Sequence, residues 1–271
     1  MTRLSAKWLV LGIMMCSACA STTTINRLQA QLFTPPPTYT VFKTNEALTI
    51  DGALTESAWS KASAVELVNT VTGLPPLART LAKLLWTDST LVIGFDCEDE
   101  HILTQYNQRD ELLWKDDVVE VFLAPGGLDA TFGGYIEIEV NARGAVLDLF
   151  VLQAKDGLPY PLPYQAYNLN IRAATNTQDK DNAIIIAAKG KRGWTAEIAI
   201  PLAELRHAGA DALVLPRDGE QWRMNLLRIN YDARSTDTSP AQRELTAWSP
   251  TGQMKFHVPE AFGNLVFRAK R

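Results

Sequence analysis

The stretch Tyr135-Ile-Glu-Ile-Glu-Val-Asn141 decides the fold class. Its residues alternate. Tyr135, Glu137, Glu139 and Asn141 fall on one side of an extended chain, and Ile136, Ile138 and Val140 on the other. Successive side chains of a strand point to opposite faces, so this pattern predicts a strand with one apolar and one polar face. Outward from it, Val118-Val-Glu-Val-Phe-Leu123 reads as a second strand and Trp222–Tyr231 as a long third one. Further candidates recur at 39–43, 47–50, 65–71, 80–86, 90–97, 145–152, 168–173, 183–188, 194–200 and 264–268. Turn formers lie between them: Asp51-Gly52, Gly126-Gly127, Asn141-Ala-Arg-Gly144 and Lys189-Gly-Lys-Arg-Gly193. Roughly a dozen short strands divided by turns predict an all-β protein, a jelly-roll-like β-sandwich.

Helix is scarce. Thr55–Ala62 reads as one short helix with Thr55 as its cap, and Pro201–Arg206 as another opened by its proline. Residues 105–116 hold a helical turn or an irregular loop, and 153–167, rich in Pro, Gly and Tyr, read as a long loop. Strands and helices do not alternate, which disfavours a parallel α/β sheet.

The start of the chain reads as an export signal. Met1–Lys7 is basic, Trp8–Met15 apolar, and Cys16–Ala20 small, the order of a signal peptide. The apolar part is shorter than the roughly 20 residues of a permanent span. Two cleavage readings stand. Ala18-Cys-Ala20 has the form of an ordinary site, whereas Cys16-Ser-Ala-Cys19 resembles a bacterial lipobox with Cys19 lipidated and Cys16 in the place of the usual leucine. Residues 1–19 are thus the expected signal, 20–38 with Pro35-Pro-Pro37 a tether, and 39–271 the folded domain. The expected location is the bacterial cell envelope, as an outer-membrane lipoprotein or in the periplasm, with membrane attachment only through the lipid anchor. The cysteines are Cys16, Cys19 and Cys97, so lipidation leaves Cys97 alone and no disulfide is expected. Cys97 reads as a small buried apolar residue.

The 271 residues carry a formal charge of -4 and no basic cluster, which excludes a phosphate-neutralising nucleic-acid surface. A monomer is expected.

Chemistry concentrates around Asp110–Glu120. Trp114 stands in this charged loop just before a strand. An exposed indole offers a flat face for the C–H side of a sugar ring, and nearby carboxylates accept hydroxyl hydrogens strongly. The other reading has Trp114 capping the core. Asp96, Glu98, Asp99 and Glu100, or Asp116 and Asp117, could bind calcium through their oxygens, although no EF-hand pattern is present. Glu137, Glu139 and Asn141, with Glu120 beside them, form either a polar groove or the wet side of a sheet. Paired carboxylates also raise glycoside hydrolysis, which needs them about 5–9.5 Å apart. His101, His207 and His257 stand apart from other ligand types, so a zinc site is not expected.

A family resemblance follows from motifs spread along the chain. They are Leu48-Thr-Ile-Asp-Gly-Ala-Leu-Thr-Glu-Ser-Ala-Trp-Ser-Lys-Ala62, Leu84–Asp99, Leu113–Leu123, Gly193–Pro201, Gly219–Arg228, Ala247-Trp-Ser-Pro250 and Phe256–Phe267. Together they resemble the family 9 carbohydrate-binding modules, β-sandwiches that clamp a sugar between two aromatic side chains. The resemblance implies that Trp114 is the first clamp residue and Glu120 its acidic partner. Phe256 falls where the family has a second tryptophan, and Glu139 near a binding arginine, whose donor fork a carboxylate does not replace. Trp59 and Trp194 fall in core-forming motifs. Calcium is known in the family, and the resemblance admits it as a ligand without identifying its residues here. The implied function is binding of a carbohydrate, tied to glycan capture or degradation, by a domain with no separate catalytic unit. A structural envelope module that has lost sugar binding is the alternative. A hydrolase is a further one, and so is a haem module using Met224, Met254 or His257.

Overall fold

The computed structural model describes residues 35–126, 134–152, 162–164, 168–176, 184–186, 193–205, 215–231 and 243–270. The expected signal 1–19, most of the tether, Cys19, most of 153–167 and His207 lie outside the described residues. Among the described residues no helix is long and apolar enough to cross a membrane.

The chain forms β1 (Thr38–Phe42), α1 (Ser57–Lys61), β2 (Val65–Glu66), β3 (Val68–Asn69), β4 (Thr80–Trp86), β5 (Thr90–Cys97) and β6 (His101–Leu103). A 3₁₀ turn at Leu113–Lys115 leads into β7 (Val118–Ala124), β8 (Gly134–Asn141), β9 (Val146–Leu152), β10 (Leu162–Tyr164), β11 (Arg172–Asn176), β12 (Ile184–Ile186) and β13 (Trp194–Pro201). After a 3₁₀ turn at Leu202–Glu204 come β14 (Gln221–Tyr231), β15 (Arg243–Ala247), a 3₁₀ turn at Pro259–Ala261 and β16 (Gly263–Arg268).

These strands make two main sheets. The larger runs β1-β16-β14-β7-β8-β9-β10, and β15 and β3 extend it from β14; the smaller runs β11-β13-β5-β4-β2. The apolar sides of both sheets meet in one core. The larger contributes Val119, Val121, Leu123, Ile136, Ile138, Val140 and Trp222, and the smaller Leu84, Ile93, Phe95, Trp194 and Ile198. The alternation at 135–141 is thus realised as expected, and the molecule is an all-β sandwich. Cys97 is fully buried here, and burial pushes its thiol up to about 12, which makes it inert.

The outer face of the smaller sheet is covered by α1 and the chain before it. Ala58 and Trp59 pack on Leu85, Val92 and Ala199. Buried Glu197 accepts hydrogen bonds from the Asp51 and Gly52 amides at 2.9 Å and from Trp59 Nε1 at 3.0 Å. Gly52 has φ +83°, and a Cβ there would lie 2.7 Å from the Thr175 carbonyl carbon, so only glycine fits. The Asp51-Gly52 and Trp59 motifs therefore hold one cover onto one sheet.

Some expectations change. Residues 47–50 form no strand, because this segment belongs to the cover instead of a sheet edge. The strand read at 168–173 begins only at Arg172. Thr55 does not cap α1; Glu56 holds that position without a side-chain bond, and its carboxylate accepts the Thr49 amide instead. Pro201 ends β13, and only a 3₁₀ turn follows it.

Candidate functional site

The other face of the larger sheet carries the residues of opposite parity, and it is largely apolar: Phe122, Tyr135, Leu147, Leu149, Val151, Leu227, Ile229 and Leu245 form a second buried cluster. Three carboxyls interrupt it. The β7–β8 register pairs Glu120 with Glu139 and Phe122 with Glu137, so Glu120, Glu137 and Glu139 meet on two adjacent strands. One oxygen from each lies within 4.8 Å of the others, and all three residues are buried. They form the floor of a cleft of about 330 Å³, walled by Leu149, Val151, Ile229 and Leu245 and rimmed by Trp114, Arg243, Met254, Lys255, Phe256 and His257. That volume suits a small ligand.

Burial dominates the electrostatics. Desolvation raises Glu137 to about 7. It raises Glu120 and Glu139 well above the carboxylate range, and the neighbouring glutamates raise both further; Arg243 opposes this at Glu120. His257 is driven the other way, down to about 4, by burial and then by Lys255, so its ring is neutral at neutral pH. Burial also raises the Tyr135 phenol, which keeps its proton. The hydroxyl and His257 Nδ1 share a hydrogen bond of 2.6 Å whose direction is set by the tautomer of the neutral ring. The His257 ring stacks on Phe122, with centroids 5.2 Å apart.

Trp114 sits on a firmly held loop. Asp116 accepts the Gln105 amide at 2.8 Å, the Tyr106 amide at 3.1 Å and Asn141 Nδ2 at 2.8 Å. Asp117 accepts the amides of Leu103 and Tyr231. The Tyr231 hydroxyl donates to the Trp114 carbonyl at 3.1 Å, and Leu113 is fully buried beneath the turn. The backbone is fixed while the indole stays 37% exposed at the cleft mouth. Trp114 thus stands at the surface, and Leu113 is the buried residue of the turn.

Of the residues singled out from sequence, Trp114, Glu120, Glu139 and Phe256 come together in this cleft. Phe256 is a wall more than a second open face. It is 6% exposed and meets Phe122 edge to face at 6.5 Å. Asn141 is not in the cleft. It is fully buried, and its amide oxygen accepts Arg143 N and Ala145 N while its nitrogen serves Asp116, because β8 ends there in a turn. The candidate calcium acids are also engaged elsewhere. Asp99 pairs with buried Arg228 at 2.9 Å, Glu98 with Arg79 at 3.3 Å, Asp96 is exposed, and Asp116 and Asp117 pin the Trp114 loop. Met224 lies in the inter-sheet core, away from Met254 and His257 at the cleft.

Sequence reasoning missed Arg243 and Lys255, named His257 only as a candidate haem ligand, and left Glu137 between groove and wet face. Arg243, from β15, brings a guanidinium to the cleft. Its only sequence signal was its place just before Leu245, and β15 itself was not foreseen. His257 looked isolated because Tyr135 and Glu137 lie far from it in the chain.

The fold and the cleft together define a class: a two-sheet β-sandwich with an aromatic-rimmed, carboxyl-floored pocket on the outer face of its larger sheet. The comparisons agree with that fold. Residues 50–135 match the family model described as carbohydrate family 9 binding domain-like. A structure of a Bacteroides uniformis protein to which carbohydrate binding is ascribed is similar with TM-score 0.63 and 16% identity, covering 86% of this chain and 100% of that one. A family 9 carbohydrate-binding module from Caldicellulosiruptor kristjanssonii, in complex with cellotriose, is similar with TM-score 0.52 and 15% identity, covering 86% of this chain and 95% of that one. At these identities the likeness is one of fold. No curated protein matches the chain.

Proposed function

We propose that the chain is a carbohydrate-binding module, with no chemistry of its own, of an exported envelope protein. The observation that carries this reading is the half-exposed Trp114 indole held on a pinned loop above a polar floor. A sugar stacks its C–H face on the indole, Arg243 and Lys255 donate to its oxygens, and the glutamates accept from its hydroxyls. The family match and the cellotriose-bound relative support the ligand class. The test is a glycan array followed by calorimetric titration, with cello-oligosaccharides included. Binding that is saturable and lost in Trp114→Ala supports the reading. Folded protein that binds no glycan overturns it.

The lipobox reading extends the proposal to a tethered outer-membrane lipoprotein. Cys19→Ala then moves the protein from the membrane fraction to the soluble periplasm.

A further inference from the structure

The three buried glutamates need an account that sugar stacking does not give. They sit on an apolar sheet face, where the Glu137 and Glu139 carboxyls lie within hydrogen-bonding reach of each other and no other group meets their buried Oε2 atoms. Glu137 is 5% exposed and Glu139 1%, and both line the cleft. The cations nearby do not meet this need. His257 Nδ1 stands 3.9 Å from Glu137 Oε2, beyond hydrogen-bond range, and the Tyr135 hydroxyl already occupies it. Lys255 is exposed at the rim, and Arg243 acts on Glu120.

We propose that Glu120, Glu137 and Glu139 hold a divalent hard cation of calcium's size at the floor of the cleft. Carboxylate oxygens are the ligands that hard cations take, and calcium–oxygen distances are about 2.3–2.6 Å. Oxygens on opposite sides of such an ion stand up to about 5 Å apart, so a cluster within 4.8 Å fits around it with little movement. Magnesium, at about 2.0–2.1 Å and strictly octahedral, requires the three carboxyls to close in. The site differs from the acidic turn at Asp96–Glu100, whose described acids face Arg228, Arg79 or solvent. An ion here leaves coordination positions facing the cleft, where ligand oxygens or water complete its shell. The proposal does not depend on the carbohydrate reading.

The experiment uses the full chain freed of metal by chelation, with no sugar in any arm. Calcium chloride is titrated calorimetrically at pH 7.5, and the melting temperature is followed in parallel. One calcium per chain is expected, with a rise in melting temperature and affinity at least tenfold above that for magnesium. Glu139→Gln and Glu120→Gln keep the side-chain shape and should each lower calcium affinity at least tenfold. A paired Asp96→Asn/Glu98→Gln variant should bind as the wild type does. Should a glutamine variant fail to fold, terbium in calcium's place supplies a second readout on the wild type. Its emission, excited through tryptophan and displaced by calcium, should fall strongly in Trp114→Phe, which alters no carboxyl. No heat and no thermal shift with calcium overturns the proposal. So does binding that survives the glutamine variants but is lost in the Asp96/Glu98 pair. Either failure leaves the sugar reading to its own test.

Discussion

Trp114 and Glu137 show how differently two residues of one cleft tie to the fold. The indole is 37% exposed, and what fixes its position is backbone: the Tyr231 hydroxyl on its carbonyl and the pins around it. Trp114→Ala should therefore cost about 1 kcal/mol of stability, far below the roughly 3–5 kcal/mol of a buried aromatic truncation. The same change should remove ligand binding, since aromatic anchors dominate such sites. Denaturant unfolding and ligand titration on one variant check both. Glu137 is the reverse case. Its carboxyl is raised from 4.5 to about 7 by burial, so the fold prefers it protonated. Its favourable contribution is full below 4.5 and is lost as pH rises through about 7. His257, lowered from 6.5 to about 4, contributes above 6.5 and loses that contribution as pH falls through about 4. In chelated buffer the stability advantage of the wild type over Glu137→Gln should therefore shrink between pH 4.5 and about 7, a comparison in which the His257 contribution is common to both proteins. Parallel curves for the two proteins would refute the assignment. Alternation alone put Glu137, Glu139 and Asn141 on one face. It could not show that Asn141, at the strand's end, turns into the Asp116 network.

At the scale of elements, the segment from Gln105 to Asp117 works as a rigid arm, and Asp116 is its fastening. The carboxylate takes two amides of the arm and ties them to Asn141 at the end of β8. Asp116→Ala leaves those donors unpaired and should cost roughly 3 kcal/mol. Ligand affinity should drop with it, although Asp116 does not line the cleft, because Trp114 loses its fixed position. Hydrogen exchange should rise across 105–116 and stay unchanged in β4 and β5. Exchange unchanged in the arm would mean that Leu113 and Tyr231 alone hold it. This also accounts for what was legible from sequence. β7, β8 and β14 announce themselves by length and alternation. β15, Arg243-Glu-Leu-Thr-Ala247, is short and mixed, and it is defined by pairing with β14 and β3, contacts that no local pattern reveals. With β15 unseen, Arg243 was unseen too. Asp116 and Asp117 looked like metal ligands because a carboxylate in a loop reads the same whether it faces an ion or a backbone amide.

At the scale of the molecule, the sandwich has two covered faces with different duties, separated by the inter-sheet core. The motifs most legible in the sequence, Asp51-Gly52, Trp59 and Glu197, lie on the cover of the smaller sheet and make the fold. The cleft lies on the far face of the larger sheet, and single residues set its chemistry. Fold was therefore easier to read than ligand. The separation can be tested. Glu197→Ala removes the acceptor of three donors, the Asp51 and Gly52 amides and Trp59 Nε1, two of these bonds being fully buried. Leaving them unpaired should cost roughly 3–5 kcal/mol. Ligand affinity, measured where the variant is still folded, should stay within about twofold of wild type, since no cleft residue touches this cover. The double variant Glu197→Ala/Trp114→Ala should then lose the sum of the two single costs to within about 0.5 kcal/mol, as distant sites with no shared partner do. A larger coupling, or a Glu197→Ala protein that folds yet binds weakly, would mean that the core transmits strain from one face to the other. The cleft geometry would then depend on how the opposite cover is fastened.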